Sequence, residues 1–236
     1  MDLPGWQARR AELKPKGLEI VTVALDTGGR EAAIGWVEAA NPEHPSLLDE
    51  AHVLDELLGV VNVPNGVWID EEGVLVRPAE PAYSGVPGGL DLSKLKLPEG
   101  LPPVFAETLA EAKKIKTQPE QYAAAVDDWV EHGQSSRYAL SPDEVVERSA
   151  PRGLDRSTAA AHFELAQHLW RAGDQEAAWP HFREARRLQP ENWTYKRQAW
   201  QFADPFQGRT DVMEGSWLDD IKEIGAENYY PPVQLR

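Results

Sequence analysis

The first 80 residues alternate between apolar runs of strand length and stripes of helical period. Residues 6–14 (WQARRAELK) predict a short helix, ended by Pro15, Lys16 and Gly17. The run 18–25 (LEIVTVAL) is nearly all apolar and β-branched at its centre, the pattern of a buried parallel strand. After the turn Asp26-Thr27-Gly28-Gly29, the positions Ala33, Ile34, Trp36, Val37 and Ala40 recur at helical spacing. They predict a helix over 30–40, stopped at Asn41-Pro42. A short strand is expected at 45–48. A second short helix at 51–58 carries Val53, Leu54, Leu57 and Leu58 on one side and closes at Gly59. Two apolar runs at 66–70 and 73–77, separated by Glu71 and Glu72, predict a hairpin with Pro64 at its entry. A proline cannot donate to a ladder, so it belongs at the start of the strand.

Beyond Pro78 the pattern changes. Prolines 78, 81, 87, 98, 102 and 103, with interspersed glycines, mark a linker or surface crossing over 81–103. From Val104 onward helices are expected at 104–116, 120–132, 142–149, 157–172, 175–188, 193–203 and 216–224. Within 159–192, Leu165, Ala166, Leu169, Ala178, Phe182, Ala185 and Pro190 fall at the spacing of a tetratricopeptide repeat, which this segment resembles. Small residues at 166 and 178 let two helices approach, and Leu165 and Phe182 fill the space between them. One such unit cannot bury both of its faces, so neighbouring helices are expected to cap it.

The proline hairpin, Pro64 to Arg77 with Ile69-Asp70-Glu71-Glu72-Gly73 at its turn, resembles that of the thioredoxin superfamily, in particular its TlpA-type and peroxiredoxin-like branch. The resemblance covers residues 1–80. It implies a cis proline at Pro64 and a substrate-facing loop of Val63, Pro64 and Asn65, in which Val63 offers backbone groups to an extended ligand. It also implies one mixed sheet holding 18–25, 66–70 and 73–77, with helix 30–40 on a face. The chain departs from the family in two ways. It has no Cys-x-x-Cys, and it lacks the strand that the family sheet places between those matching 18–25 and 66–70. Two such strands are expected either to pair directly or to be bridged, by 45–48, by 79–102 or by a second copy of the chain. The expected architecture is therefore an α/β thioredoxin-like domain at 1–80, incomplete for want of its first strand. The linker at 81–103 and an all-α tetratricopeptide-like region at 104–236 follow it.

Composition narrows the chemistry. The chain has 236 residues, 42% hydrophobic and 27% charged, with a formal charge of −15 and a pI near 4.8. Such a surface repels phosphate backbones and anionic lipid, so neither nucleic acid nor membrane is an expected partner. No run approaches the length of a membrane span, and Met1 to Trp6 has neither basic nor apolar signal regions, so a cytoplasmic protein is expected. The 236 residues include no cysteine. Thiolate catalysis, disulfides and thiolate metal sites are excluded for them.

His44 and His52 flank Asp49 and Glu50, but their spacing matches no helical ligand pair, and no metal or other cofactor is expected. His162, Glu164 and His168 diverge around one helix. The carboxylates Asp49, Glu50, Asp55, Glu56, Asp70, Glu71 and Glu72 read as a solvated acidic face. Of nine tryptophans, Trp170, Trp179, Trp193, Trp200 and Trp217 fall on predicted helices and read as core between layers. Arg183, Arg186, Arg187, Lys196 and Arg197 form a basic patch that either pairs within the chain or meets an acidic peptide.

Two functional expectations follow. The family resemblance implies a thiol–disulfide oxidoreductase or antioxidant protein, redox-inactive as written for want of cysteine. The alternative is a non-catalytic scaffold whose helical region binds a peptide or protein, with self-association a further possibility raised by the unpaired sheet.

Overall fold

The computed structural model describes residues 2–86, 102–149 and 151–235. Its order is α1 (Leu3–Leu13), β1 (Thr22–Leu25), α2 (Gly29–Ala40), β2 (Ser46–Asp49), α3 (Val53–Leu58), β3 (Asn65–Ile69) and β4 (Leu75–Pro81). The helices α4 (Pro103–Ala112), α5 (Pro119–His132), α6 (Pro142–Ser149), α7 (Leu154–Arg171), α8 (Gln175–Leu188), α9 (Trp193–Ala203) and α10 (Trp217–Ile224) follow. The protein is mixed α/β, with its strands in the first third. Local chemistry sets the helix starts. Asp2, Asp174, Asn192 and Ser216 each accept a backbone N–H at the first turn of α1, α8, α9 and α10.

The strands form two separate sheets. β1 and β2 pair in parallel, Thr22 opposite Ser46 through Leu25 opposite Asp49. β3 and β4 pair antiparallel, with irregular register on either side of Trp68. The single mixed sheet expected from the sequence is thus corrected: among the described residues no ladder joins β1 to β3. The segment at 45–48 does become a strand, but it extends β1 rather than bridging to β3. The other candidate bridge, 79–102, lies largely outside the described residues. α2 packs on β2 and on α1.

The strand at 18–25 is also shorter than its apolar run. Leu18 N donates back to Leu13 O, and Glu19 accepts from Ile20 N while pairing with Arg10 at 2.5 Å. These bonds tie 18–20 to the end of α1, and strand geometry begins only at Thr22. The side-chain hydrogen bond from Arg10 holds the Glu19 carboxyl at about 2, below its ordinary 4.5. A carboxylate lowered on folding stabilises the fold above the unfolded value and loses that contribution as pH falls. Glu19→Gln should therefore flatten the acid limb of stability between pH 4.5 and about 2, read by urea unfolding across that range.

Two cores result. One joins Leu13 of α1 and Trp68, Val76 and Ala82 of the hairpin to Tyr122, Ala125 and Val126 of α5 and to Val233. Packing therefore runs across the boundary expected at 81–103, whose 87–101 portion lies outside the described residues. Arg77, wholly buried, reinforces this core. Its guanidinium reaches Glu80, Tyr138 O and Gln234 O and stacks over Trp68.

The second core lies among α7, α8, α9 and α10, around Phe163, Phe182, Trp193 and Trp200. Trp170, Trp179 and Trp217 pack against it, so the helical tryptophans serve as core. α7 and α8 form an antiparallel pair. Ala166, Ala178, Phe182 and Ala185 are buried in it, but Leu165 is 42% exposed, against expectation. The inward stripe of α7 runs Ala159, Phe163, Ala166, Trp170, a spacing of three and four that leaves residue 165 on the outer side. Phe163 supplies the bulk expected of Leu165.

Candidate functional site

The site is assembled where α3 and the loop after it meet α7 and α9. α3 is a six-residue helix whose entry residue His52 has φ of 55°. Its first N–H groups are capped by Asp49, which accepts from Val53 N at 3.0 Å and Leu54 N at 2.7 Å. The helix ends at Gly59 in the left-handed region, φ 73°, and Val60 N returns to Asp55 O at 2.8 Å. Trp193 N donates to Val61 O at 2.6 Å, fixing this loop to the start of α9. Arg152 completes the junction by donating to both the Glu56 carboxylate and the Glu56 carbonyl.

Between these elements lies a cavity of about 230 Å³. Its walls include Leu58, Val60, Val61, Val67, Leu75 and Ala160, its polar lining Asp55, Gln189, Asn192 and Tyr195. Burial sorts the lining by depth. Asp55 is 2% exposed, and Gln189, Asn192 and Tyr195 are also buried, whereas Leu57, Arg152 and Arg156 are open to solvent. Arg156 pairs with Glu191 at 3.1 Å, so both rim guanidinium groups already hold a carboxylate.

Asp55 is the unusual member. His52 Nδ1 donates to Asp55 Oδ2 at 2.8 Å. His52 Nε2 faces Gln198 Oε1 at 3.3 Å, and that oxygen also accepts Thr27 N at 2.9 Å. The imidazole stands edge-on to Phe163. Asp55 Oδ1, in contrast, has no hydrogen-bond partner. The neighbouring Thr194 hydroxyl spends its proton on Asn192 Oδ1 at 2.6 Å. Burial pushes the Asp55 carboxyl above its usual range, against the lowering pull of its bond with His52. The reading of Asp49 and Asp55 as part of a solvated face is therefore corrected: both are buried, one as a helix cap and one held by His52.

The loop singled out from the sequence lies beside this cavity but does not line it. The Val63–Pro64 peptide is cis. The Val63 backbone is engaged on both sides: its N–H donates to Asn62 Oδ1 at 2.8 Å, and its carbonyl accepts the Tyr230 hydroxyl at 2.8 Å. Pro64 O accepts from Ala82 N, and Asn65 opens β3 opposite Pro81. The Val63 backbone groups thus have partners inside the chain, whereas Asn65 Oδ1 is buried without one.

The remaining candidates are structural. His44 contacts Gln7 and Thr22, and among the described residues no three metal-ligating side chains converge. His162 and His181 meet across α7 and α8, Nδ1 to Nδ1 at 2.8 Å. Three members of the basic patch pair with carboxylates within the chain: Arg186 and Lys196 both reach Asp220, and Arg187 holds Glu184. Sequence reasoning missed Asp55, Arg152 and Tyr195 as a group. Its only signal was the His52–Asp55 spacing at the start of a short helix, which also describes many exposed pairs.

No family model matches the chain, and no curated protein or solved structure matches it. The described helices include none long and apolar enough to cross a membrane.

Proposed function

We propose that this chain is a non-catalytic binding module on a thioredoxin-like scaffold, and that a peptide or protein partner engages the cavity between α3 and the α7–α9 helices. The observation that carries this reading is the cavity of about 230 Å³, apolar along Leu58, Val60, Val61, Val67 and Leu75 and open to solvent beside Leu57, Arg152 and Arg156. Exposed apolar side chains nearby in sequence, among them Trp36, Leu47, Val53 and Leu57, add surface that a partner would cover.

The scaffold reading rests on the proline hairpin and on the parallel β1–β2 pair with α2 against it. The helix pair α7–α8 is read as a tetratricopeptide-like unit, of the kind whose surfaces serve as docking faces. The oxidoreductase reading would require a thiolate from outside these 236 residues.

Two measurements test the proposal. In insulin reduction driven by dithiothreitol, the chain should give no acceleration over dithiothreitol alone; acceleration would refute a non-catalytic role. Peptides selected from a random library on the immobilised chain should perturb the amide resonances of Gly59, Val61 and Tyr195. Selected peptides whose footprint avoids all three would remove the cavity as the binding site.

A further inference from the structure

We infer that the cavity takes a neutral apolar residue of the partner, its side chain against the aliphatic walls and its backbone carbonyl accepting from Tyr195 and Gln189. The inference rests on reading the cavity as a binding site and names what enters it.

The hydrogen bonds around the cavity divide its polar groups into spent and free. Asn192 Oδ1 accepts Tyr195 N at 3.1 Å and the Thr194 hydroxyl at 2.6 Å, which fixes the Asn192 amide. Its Nδ2 then faces Gln189 and donates to Gln189 Oε1 at 3.3 Å. The acceptors of this pair are therefore occupied. Gln189 Nε2 and the Tyr195 hydroxyl are not: among the described residues neither has a partner, and both are reached by solvent. Both side chains line the cavity, although Tyr195 is 5% exposed and Gln189 6%. The Tyr195 ring is held in place by stacking on Phe163, their centroids 4.0 Å apart.

Free donors call for an acceptor. Burial, with the charges of Asp55 and Glu56, raises the Tyr195 phenol above its ordinary 10, so it keeps its proton and donates. The same two carboxylates oppose an anion here, and the rim guanidinium groups of Arg152 and Arg156 are already matched by Glu56 and Glu191. A cation would find no free acceptor at Asn192 or Gln189. A neutral oxygen satisfies both conditions, and every residue of a peptide carries one in its backbone carbonyl. Leu58, Val60, Val61, Val67 and Leu75 supply apolar wall for the side chain beside it. A cavity of about 150 Å³ holds benzene. One of about 230 Å³ has room for a leucine side chain and its peptide group.

The test is an amide-resonance titration with the Nα-acetyl methylamides of leucine, alanine, lysine and glutamate. All carry the same carbonyls and differ only in side chain. The leucine probe should shift Gly59, Val61 and Tyr195 saturably. It should bind about tenfold or more tighter than alanine, the worth of burying its additional carbon atoms, and tighter than lysine or glutamate. Tyr195→Phe keeps the ring on Phe163 and should weaken leucine binding about threefold to tenfold, the range of one neutral hydrogen bond. Equal binding of leucine and alanine by the wild-type chain, or preference for lysine or glutamate, would overturn the inference, and neither result depends on a variant folding. Leucine binding unchanged in a folded Tyr195→Phe variant would overturn it as well. If library peptides footprint on the cavity while the leucine probe does not, the apolar anchor falls and the binding-site reading stands. If neither reaches the cavity, both fall.

Discussion

Phe182→Ala should destabilise the protein by about 3–5 kcal/mol, the cost of emptying a full aromatic site in a packed core. Phe182 is 1% exposed at the centre of an aromatic cluster, its ring 5.8 Å from Phe163 and from Trp179, 5.9 Å from Phe202 and 6.4 Å from Trp170. Neighbours this large cannot collapse into the space without leaving their own rotamers, so most of the void persists. Leu165→Ala, on the same helix pair and at a neighbouring position of the repeat spacing, should cost less than about 1 kcal/mol because its side chain lies on the outer side, 42% exposed. Urea unfolding of the two variants measures the contrast. Equal losses would show that the inward face of α7 is set differently from Ala159, Phe163, Ala166 and Trp170.

Asp220→Ala should cost about as much, 3–5 kcal/mol, for an electrostatic reason. Asp220 holds two cations, Arg186 at 2.8 Å and Lys196 at 3.0 Å. The Lys196 ammonium is buried and stands 3.6 Å over the Trp193 ring. Without Asp220 it would keep the ring but lose its counter-ion. Lys196→Met should cost less, since methionine retains the apolar stem against Trp193 and Asp220 keeps Arg186.

The pH profile separates this account from simple loss of packing. Burial already lowers the Lys196 ammonium below its ordinary 10.5, with Asp220 pulling it back up. Removing Asp220 lowers it further. Between the folded value and 10.5 the unfolded chain then binds more protons than the folded one, so stability rises with pH. The variant should therefore recover part of its loss as pH is raised towards 10, measured by denaturant unfolding at each pH. A loss independent of pH would mean that Asp220 acts through packing alone.

Asp55→Asn should move stability the other way. A carboxyl raised by burial favours the folded state least where it is ionised, so the amide should stabilise the fold at neutral pH. Thermal unfolding at pH 7 reads the sign; a lower midpoint would show that the bond with His52 outweighs the burial cost.

Most element positions were legible in the chain because they depend on local chemistry. Helices at 175–188 and 193–203 have the bounds that their periodicity implied, and Pro64 stands immediately before β3 because it has no N–H to give to a ladder. The parallel strand was legible in type but not in length. The side-chain pair of Glu19 with Arg10 competes with strand geometry at 18–20, and that pairing depends on how the chain turns after α1.

The partition into two sheets and the depth of Asp55 were decided in three dimensions. An apolar run states that a strand will be buried, not which edge it pairs with, so 22–25 took 46–49 as its neighbour and left β3 with β4 alone. The spacing of Leu165 and Phe182 predicted a helix pair, but packing against Phe182 of α8 and Tyr195 of α9 put Phe163 on the inside. Asp55 looks in the sequence like any carboxylate of an acidic chain. It became a buried group because Val61 is pinned to Trp193, Glu56 to Arg152 and Thr27 to Gln198, contacts between residues more than 90 positions apart. Local pattern determined the elements of this protein. Long-range pairing determined its cavity, because burial belongs to the surroundings of a residue and not to the residue itself.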